Sequence, residues 1–220
     1  MLLHEAVCWP PHDRVQRVPH LDRSDDVLNS EPWSILTEKR AVLDENGDWV
    51  YKLTGYTDGK PFEIVSQSGD VGGYGRAIED LRIGDVFKYT LNTQERIYSI
   101  SERADVFSIT ADIDNYDNGF YSRVGGNIYG SVADIKRKFI HESTGMYASR
   151  LTVEYGEGVQ YVIVPHADNG IYYYDMETKE ITVASQNQIY SSLETGSGAS
   201  WVFAKLDSAL NAEIVVIVNK

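Results

Sequence analysis

The chain has one cysteine, Cys8, so no internal disulfide can form and no thiolate set for a structural zinc exists. No apolar run approaches the ~20 residues that a membrane-spanning helix needs, which argues against membrane insertion. Positive charge is also scarce: 20 Lys and Arg stand against 33 Asp and Glu, a formal charge of −13. A field of that sign repels phosphate backbones and anionic lipid, so nucleic acid is not expected as a partner. The acidity favours solubility; a site for cations or a basic partner such as an amine-bearing wall polymer is the alternative. The start MLLHEAVCWPPHDRV lacks the apolar core of about 7–15 residues found in a signal peptide, so any export signal is expected outside these residues.

Helical periodicity is nearly absent. The exception is Ala184 to Glu194, where Ile189 and Leu193 stand four apart and a short helix is expected. Elsewhere β-branched and aromatic residues dominate, with Tyr used 15 times against six Phe. Tyr suits half-buried strand positions, where the ring packs and the hydroxyl finds water or a partner. Turn signals recur at short intervals without helical crossovers, which predicts an all-β protein of antiparallel strands closed into barrels or sandwiches.

Along the chain, residues 1–33 are rich in Pro, His, Arg and Asp without strand or helix period, and read as an irregular arm or linker. A first β module is expected over 34–113, a connecting loop over 114–126 and a second β module over 127–220. In the first, Asn46-Gly47 lies between two strand-like runs and predicts a hairpin with positive φ at both turn positions. KPFEIVSQ gives a third strand after Asp58-Gly59. LRIGDVFKYTLNTQERIYSISE follows: a turn at Gly84-Asp85, then Phe87, Tyr89 and Leu91 alternating with Val86, Lys88 and Thr90, one face apolar and the other polar. Val106 to Ile113 continues as another strand. Both halves contain strand, Gly turn and strand, a likeness of pattern only.

Sites of chemistry are few. DIDNYDNG, residues 112–119, carries oxygen ligands but not the spacing of a calcium loop, since Asp117 falls where Gly is required. An irregular site on Asp112, Asp114 and Asp117 stands against the ordinary use of Asp and Asn in tight turns. His4, His12 and His20 are scattered along the arm, His166 sits in a turn, and with His141 they form no ligand spacing. No GxSxG elbow is present, Cys8 has no local sign of activation, and the glycines of SGDVGGYG lack the Lys-Ser/Thr of a phosphate loop. No catalytic, cofactor or metal residue is assigned and no enzyme activity is expected. Aromatic faces bind sugar rings, which makes Trp49 and Trp201 candidate glycan contacts; both lie in strand runs, DWVYKL and WVFAKL, where packing against a core is the competing role.

GDVFKYTLNTQERIYSI, within LRIGDV and its hairpin, resembles the "L-x-x-G-D-V… x-G-x-I-x-x-I" pattern of the C-terminal β-rich modules of Gram-positive cell-surface proteins that carry S-layer homology domains. The likeness continues through IYGSVADIKRKF, SRLTVEYGEGVQYVIV and IYYYDMETKEITVAS to SWVFAKLDSALNAEIVVIVN, and covers most of residues 36–218. It implies an extracellular, cell-wall-associated location, with wall polymer or neighbouring surface proteins as partners. The S-layer homology repeats themselves do not occur in these residues, and the resemblance carries over no catalytic residue. The expected function is therefore a non-catalytic structural or interaction region. A carbohydrate-binding module using exposed Tyr and Trp, or a virion or tail structural protein, are the alternatives.

Overall fold

The computed structural model describes residues 31–72, 77–104, 106, 119–122, 126–140, 145, 147–156, 158–165, 170–194 and 200–219. The protein is all-β, with two sheets and one α-helix among these residues. The first sheet contains β1 (Ser34–Leu43), β2 (Trp49–Thr57), β3 (Lys60–Val65), β4 (Val86–Leu91) and β5 (Ile97–Ala104), in the order β3-β2-β1-β4-β5. Strands β1 to β3 form a meander and β4 returns to the far side of β1, which is a Greek key. A parallel bridge between Ser66 and Ile97, with Gln67 N donating to Ile97 O at 2.9 Å, ties the end of β3 to β5 and closes the sheet into a barrel.

The second sheet repeats this plan. Here β7 (Asn127–Ile140), β8 (Tyr147–Tyr155) and β9 (Gly158–Pro165) form the meander, β12 (Trp201–Leu206) returns beside β7, and β13 (Ala212–Asn219) completes the hairpin. Ile163 and Asn211 make the closing parallel bridge, and Ile163 N donates to Leu210 O at 3.0 Å. Three strands and a helix are added to it. β6 (Phe120–Ser122) lies along β7, and β10 (Ile171–Asp175), β11 (Ile181–Val183) and α1 (Gln186–Glu194) are inserted between β9 and β12. β10 pairs with β13 in parallel, against the antiparallel expectation, because the chain passes through α1 and β12 before it reaches that edge. Ser185 opens α1, its N–H donating to Gln188 Oε1 at 2.8 Å in one half of a capping box.

The equivalence of the barrels reaches the irregularities. Each first strand is bulged, between Leu36 and Glu38 and between Val132 and Asp134. Each fourth strand shifts register just before its last hairpin, at Thr90/Leu91 and at Lys205/Leu206. Those hairpins also share a loop. Asn92 Oδ1 accepts from the N–H groups of Gln94 and Arg96, and Asp207 Oδ1 from those of Ala209 and Asn211. Glu95 and Leu210 take the left-handed position, at φ 60° and 65°.

The same loop occurs at Asp44–Asp48, where it corrects the turn expected at Asn46-Gly47. Only Gly47 has positive φ, at 85°, and Asp44 Oδ1 accepts from Asn46 and Asp48. The side-chain acceptor two residues ahead of Asn46 favours a type I turn with a left-handed last residue over the two-residue mirror turn. The mirror turn occurs instead at Asp58-Gly59, with φ 49° and 72°.

Three apolar clusters result. One fills the first barrel, around Leu36, Leu53, Phe62, Phe87 and Ile97. Another fills the second, around Val132, Leu151, Val162, Val202 and Val215, with Ile189 of α1 as a plug. The third lies between the barrels: Trp33, Ile35 and Val86 meet Tyr129, Tyr172, Tyr174, Phe203, Ile214, Val216 and Val218. The expected polar face of β4 is thereby corrected. Val86 and Lys88 are buried because the outer face of the strand is covered by the other barrel, and Leu91 is exposed at the loop end of the strand, past the register shift at Thr90/Leu91. β13 is buried on both faces for the same reason, which explains the uninterrupted apolar run of EIVVIVN.

Tyr172 joins the two barrels, its hydroxyl accepting from Gly59 N at 3.1 Å and its ring stacked on Tyr56 at 6.0 Å. Burial pushes its phenol up from the ordinary 10.0 to about 12. The fold holds the neutral form, so this contribution to stability is complete below pH 10 and is lost as the pH rises through about 12. Denaturant unfolding measured across that window is expected to show falling stability in the native protein, and a shallower fall in Tyr172→Phe.

Candidate contact surface at the loop end of the first barrel

The β1–β2 and β4–β5 loops come together at one end of the first barrel because both are short Asx loops on neighbouring hairpins. Arg96 joins them, with Nη1 donating to Asp44 Oδ2 at 3.1 Å and Nη2 3.8 Å from Glu45 Oε1. The β3–β4 connection reaches the same place, where Asn92 Nδ2 donates to Gln67 Oε1 at 3.0 Å. The Asp48 N–H and then the Arg96 guanidinium hold the Asp44 carboxyl below its usual range. Asp44 is therefore a fixed anion at neutral pH, oriented by the loop it caps.

Apolar side chains surround this polar stitch. Trp49, first residue of β2, is 66% exposed and pairs across the strands with Leu43, itself 57% exposed. Leu91, just before the second loop, is exposed as well. A wide aromatic face beside an oriented carboxylate and a guanidinium supplies stacking and hydrogen bonding to a polar chain.

The structure does not bring the two sequence candidates together. Trp49 stands in solvent, and the core role weighed for it fails because β2 begins at the rim, beyond the barrel interior. Trp201 is half-buried against the cluster between the barrels, 5.2 Å from the Tyr129 ring. The loop residues Asp112, Asp114 and Asp117, all five histidines, Cys8 and the strand expected after Val106 lie outside the described residues. Among the described residues no three His, Cys, Asp or Glu side chains converge to hold a metal ion, and no helix is long and apolar enough to cross a membrane.

Two further polar groups are structural. Ser149, Gln186 and Tyr190 form a buried polar cluster that anchors α1 to β8; Ser149 Oγ and Tyr190 OH both donate to Gln186 Oε1, at 2.9 and 2.6 Å, and the Arg137 guanidinium lies over the Tyr190 ring. Between the barrels, Trp33 Nε1 donates to Glu213 Oε2 at 3.1 Å, and the ammonium groups of Lys88 and Lys205 lie 5.0 and 5.3 Å from the Trp33 ring centroid. Sequence reading missed Arg96 and Asp44; the signal available was the repeated spacing of an Asx residue four ahead of the loop's end, in DENGD, NTQER and DSALN.

No protein-family model matches the chain, and no curated protein matches it. Replacing Arg96 by Ala is expected to let the Asp44 carboxyl titrate at higher pH, toward its ordinary value, while the backbone capping bonds keep part of the depression. Carboxyl NMR titration reads this directly, and an unmoved Asp44 would show that the guanidinium does not hold it.

Proposed function

We propose that the protein is a non-catalytic interaction region of a cell-surface assembly, and that the loop end of the first barrel grips an extended polysaccharide of the cell wall. The observation that carries this reading is the exposure of Trp49 beside Leu43, at the end where three connections are stitched by Asp44, Arg96 and Asn92. Exposed tryptophan on a rim has no packing role, while a sugar ring offers the apolar face that matches it. Five-stranded Greek-key barrels of the OB type bind oligosaccharides and oligonucleotides through the loops after the first and fourth strands and the face of strands two and three. The formal charge of −13 disfavours the nucleic-acid member of that pair. The likeness to β-rich modules of S-layer homology proteins supports an extracellular, wall-associated location.

The test is retention of the purified chain by insoluble wall polysaccharide, together with a glycan array. The native chain is expected to bind saturably, and Trp49→Ala to lose at least about tenfold in affinity with an unchanged melting temperature, since an exposed ring contributes little to folding. Equal retention of the variant, or no retention of the native chain, would overturn the reading.

A further inference from the structure

The two barrels share a plan, so each supplies a control for the other. The third strand of each is an edge over most of its length, paired with the second strand on one side and closed on the other only at its far end. In an antiparallel pair successive residues turn their backbone groups to opposite sides. The bridges fix which residues face outward. Gln67 N and Ile163 N both donate away from the second strand, to Ile97 O and Leu210 O. Counting back by twos, the outward positions are Pro61, Glu63 and Val65 in the first barrel and Val159, Tyr161 and Ile163 in the second.

The two edges are treated in opposite ways. In the first barrel Pro61 offers no N–H and Glu63 puts a charge on the strand, the devices that keep edges from pairing with other chains. Counted from the hairpin that opens each third strand, with closing pairs Thr57–Lys60 and Tyr155–Gly158, the matching residues of the second barrel are Val159 and Tyr161, 53% and 50% exposed. Residues 158–164, GVQYVIV, carry no ionisable group other than the Tyr161 phenol. Among the described residues, only the Gln160 side chain reaches this edge, Nε2 donating to Tyr161 O at 2.8 Å. The Tyr161 ring is steadied from within the sheet by the Arg150 guanidinium, 4.5 Å from its centroid.

The geometry points to strand β9 as a pairing edge for a second copy of this chain. Set antiparallel about a twofold axis through Gln160, Val159 meets the second copy's Tyr161 and exchanges N–H and C=O with it, and the symmetric pair does the same. The Tyr161 carbonyl has a second lone pair, so the Gln160 contact can persist. Each cross-strand pair is aromatic against β-branched, a combination that stabilises sheets. Two chains of charge −13 repel, and this stretch lets their backbones meet without placing like charges opposite each other. The self-pairing rests on the second barrel alone and is independent of polysaccharide binding at the first.

Sedimentation velocity of the full chain from low micromolar to several hundred micromolar tests it. The native chain is expected to shift from monomer to dimer with concentration. Val159→Pro with Tyr161→Glu, which copies the guard of the first barrel, is expected to raise the dimer dissociation constant at least about tenfold with unchanged circular dichroism. Tyr161→Glu alone leaves the backbone donors in place and gives the same direction of change should Val159→Pro disturb the β8–β9 hairpin. A native chain that stays monomeric throughout, whatever other strand the edge accepts, or a guarded variant that dimerises as the native chain does, overturns the proposal.

Discussion

Trp33 is the point at which the two barrels become one body. Its indole donates to Glu213 of the second barrel, and its ring lies under Lys88 of the first and Lys205 of the second. Lys88 is nearly buried, with carboxylates of Glu102 at 3.5 Å and Glu213 at 3.8 Å. Desolvating an ammonium costs several kcal/mol, which two carboxylates and an aromatic face offset without a large net gain. The stabilisation comes from the apolar side chains around them, about 1.5–3 kcal/mol for each fully buried large residue. The charged node contributes direction: it is satisfied only when the first and second barrels meet in this one orientation.

The same constraint leaves two barrels of like plan with different exposed surfaces. Burying the outer face of β4 and both faces of β12 and β13 removes them from contact with anything else. Among the exposed apolar residues that the seam leaves free are Trp49 at the rim of one barrel and Val159 and Tyr161 on the β9 edge of the other. The shared bulges, loops and closing bridges make the scaffolds alike, while the third-strand edges differ, with Pro61 and Glu63 on one and Val159 and Tyr161 on the other.

Much of this was legible in the sequence, for identifiable reasons. Strand periodicity, a turn before β4, found one residue earlier than expected over Arg82–Asp85, and the helix at Gln186–Glu194 are local signals, and local signals survive folding. Asp85 shows how one such signal is used: its buried carboxylate accepts from Arg82 N and twice from Arg103, pinning the turn before β4. What could not be read were consequences of the second barrel lying against the first. Lys88 reads as part of a solvated face because nothing near it in sequence says that a tryptophan and two carboxylates cover it. Trp49 and Trp201 occupy similar strand-like runs, and only the position of each strand relative to the seam separates rim from core. The repeat was visible as a loose pattern because topology and bulge positions are alike while the side chains are not.

Because the barrels share a core, they are expected to unfold together. Guanidinium unfolding at equilibrium, followed in parallel by tryptophan fluorescence and by far-ultraviolet circular dichroism, tests it most directly. A single transition with the same midpoint by both probes is what the shared core predicts. Two separated transitions, with one barrel's strands persisting after the environment of Trp33 is lost, would contradict it.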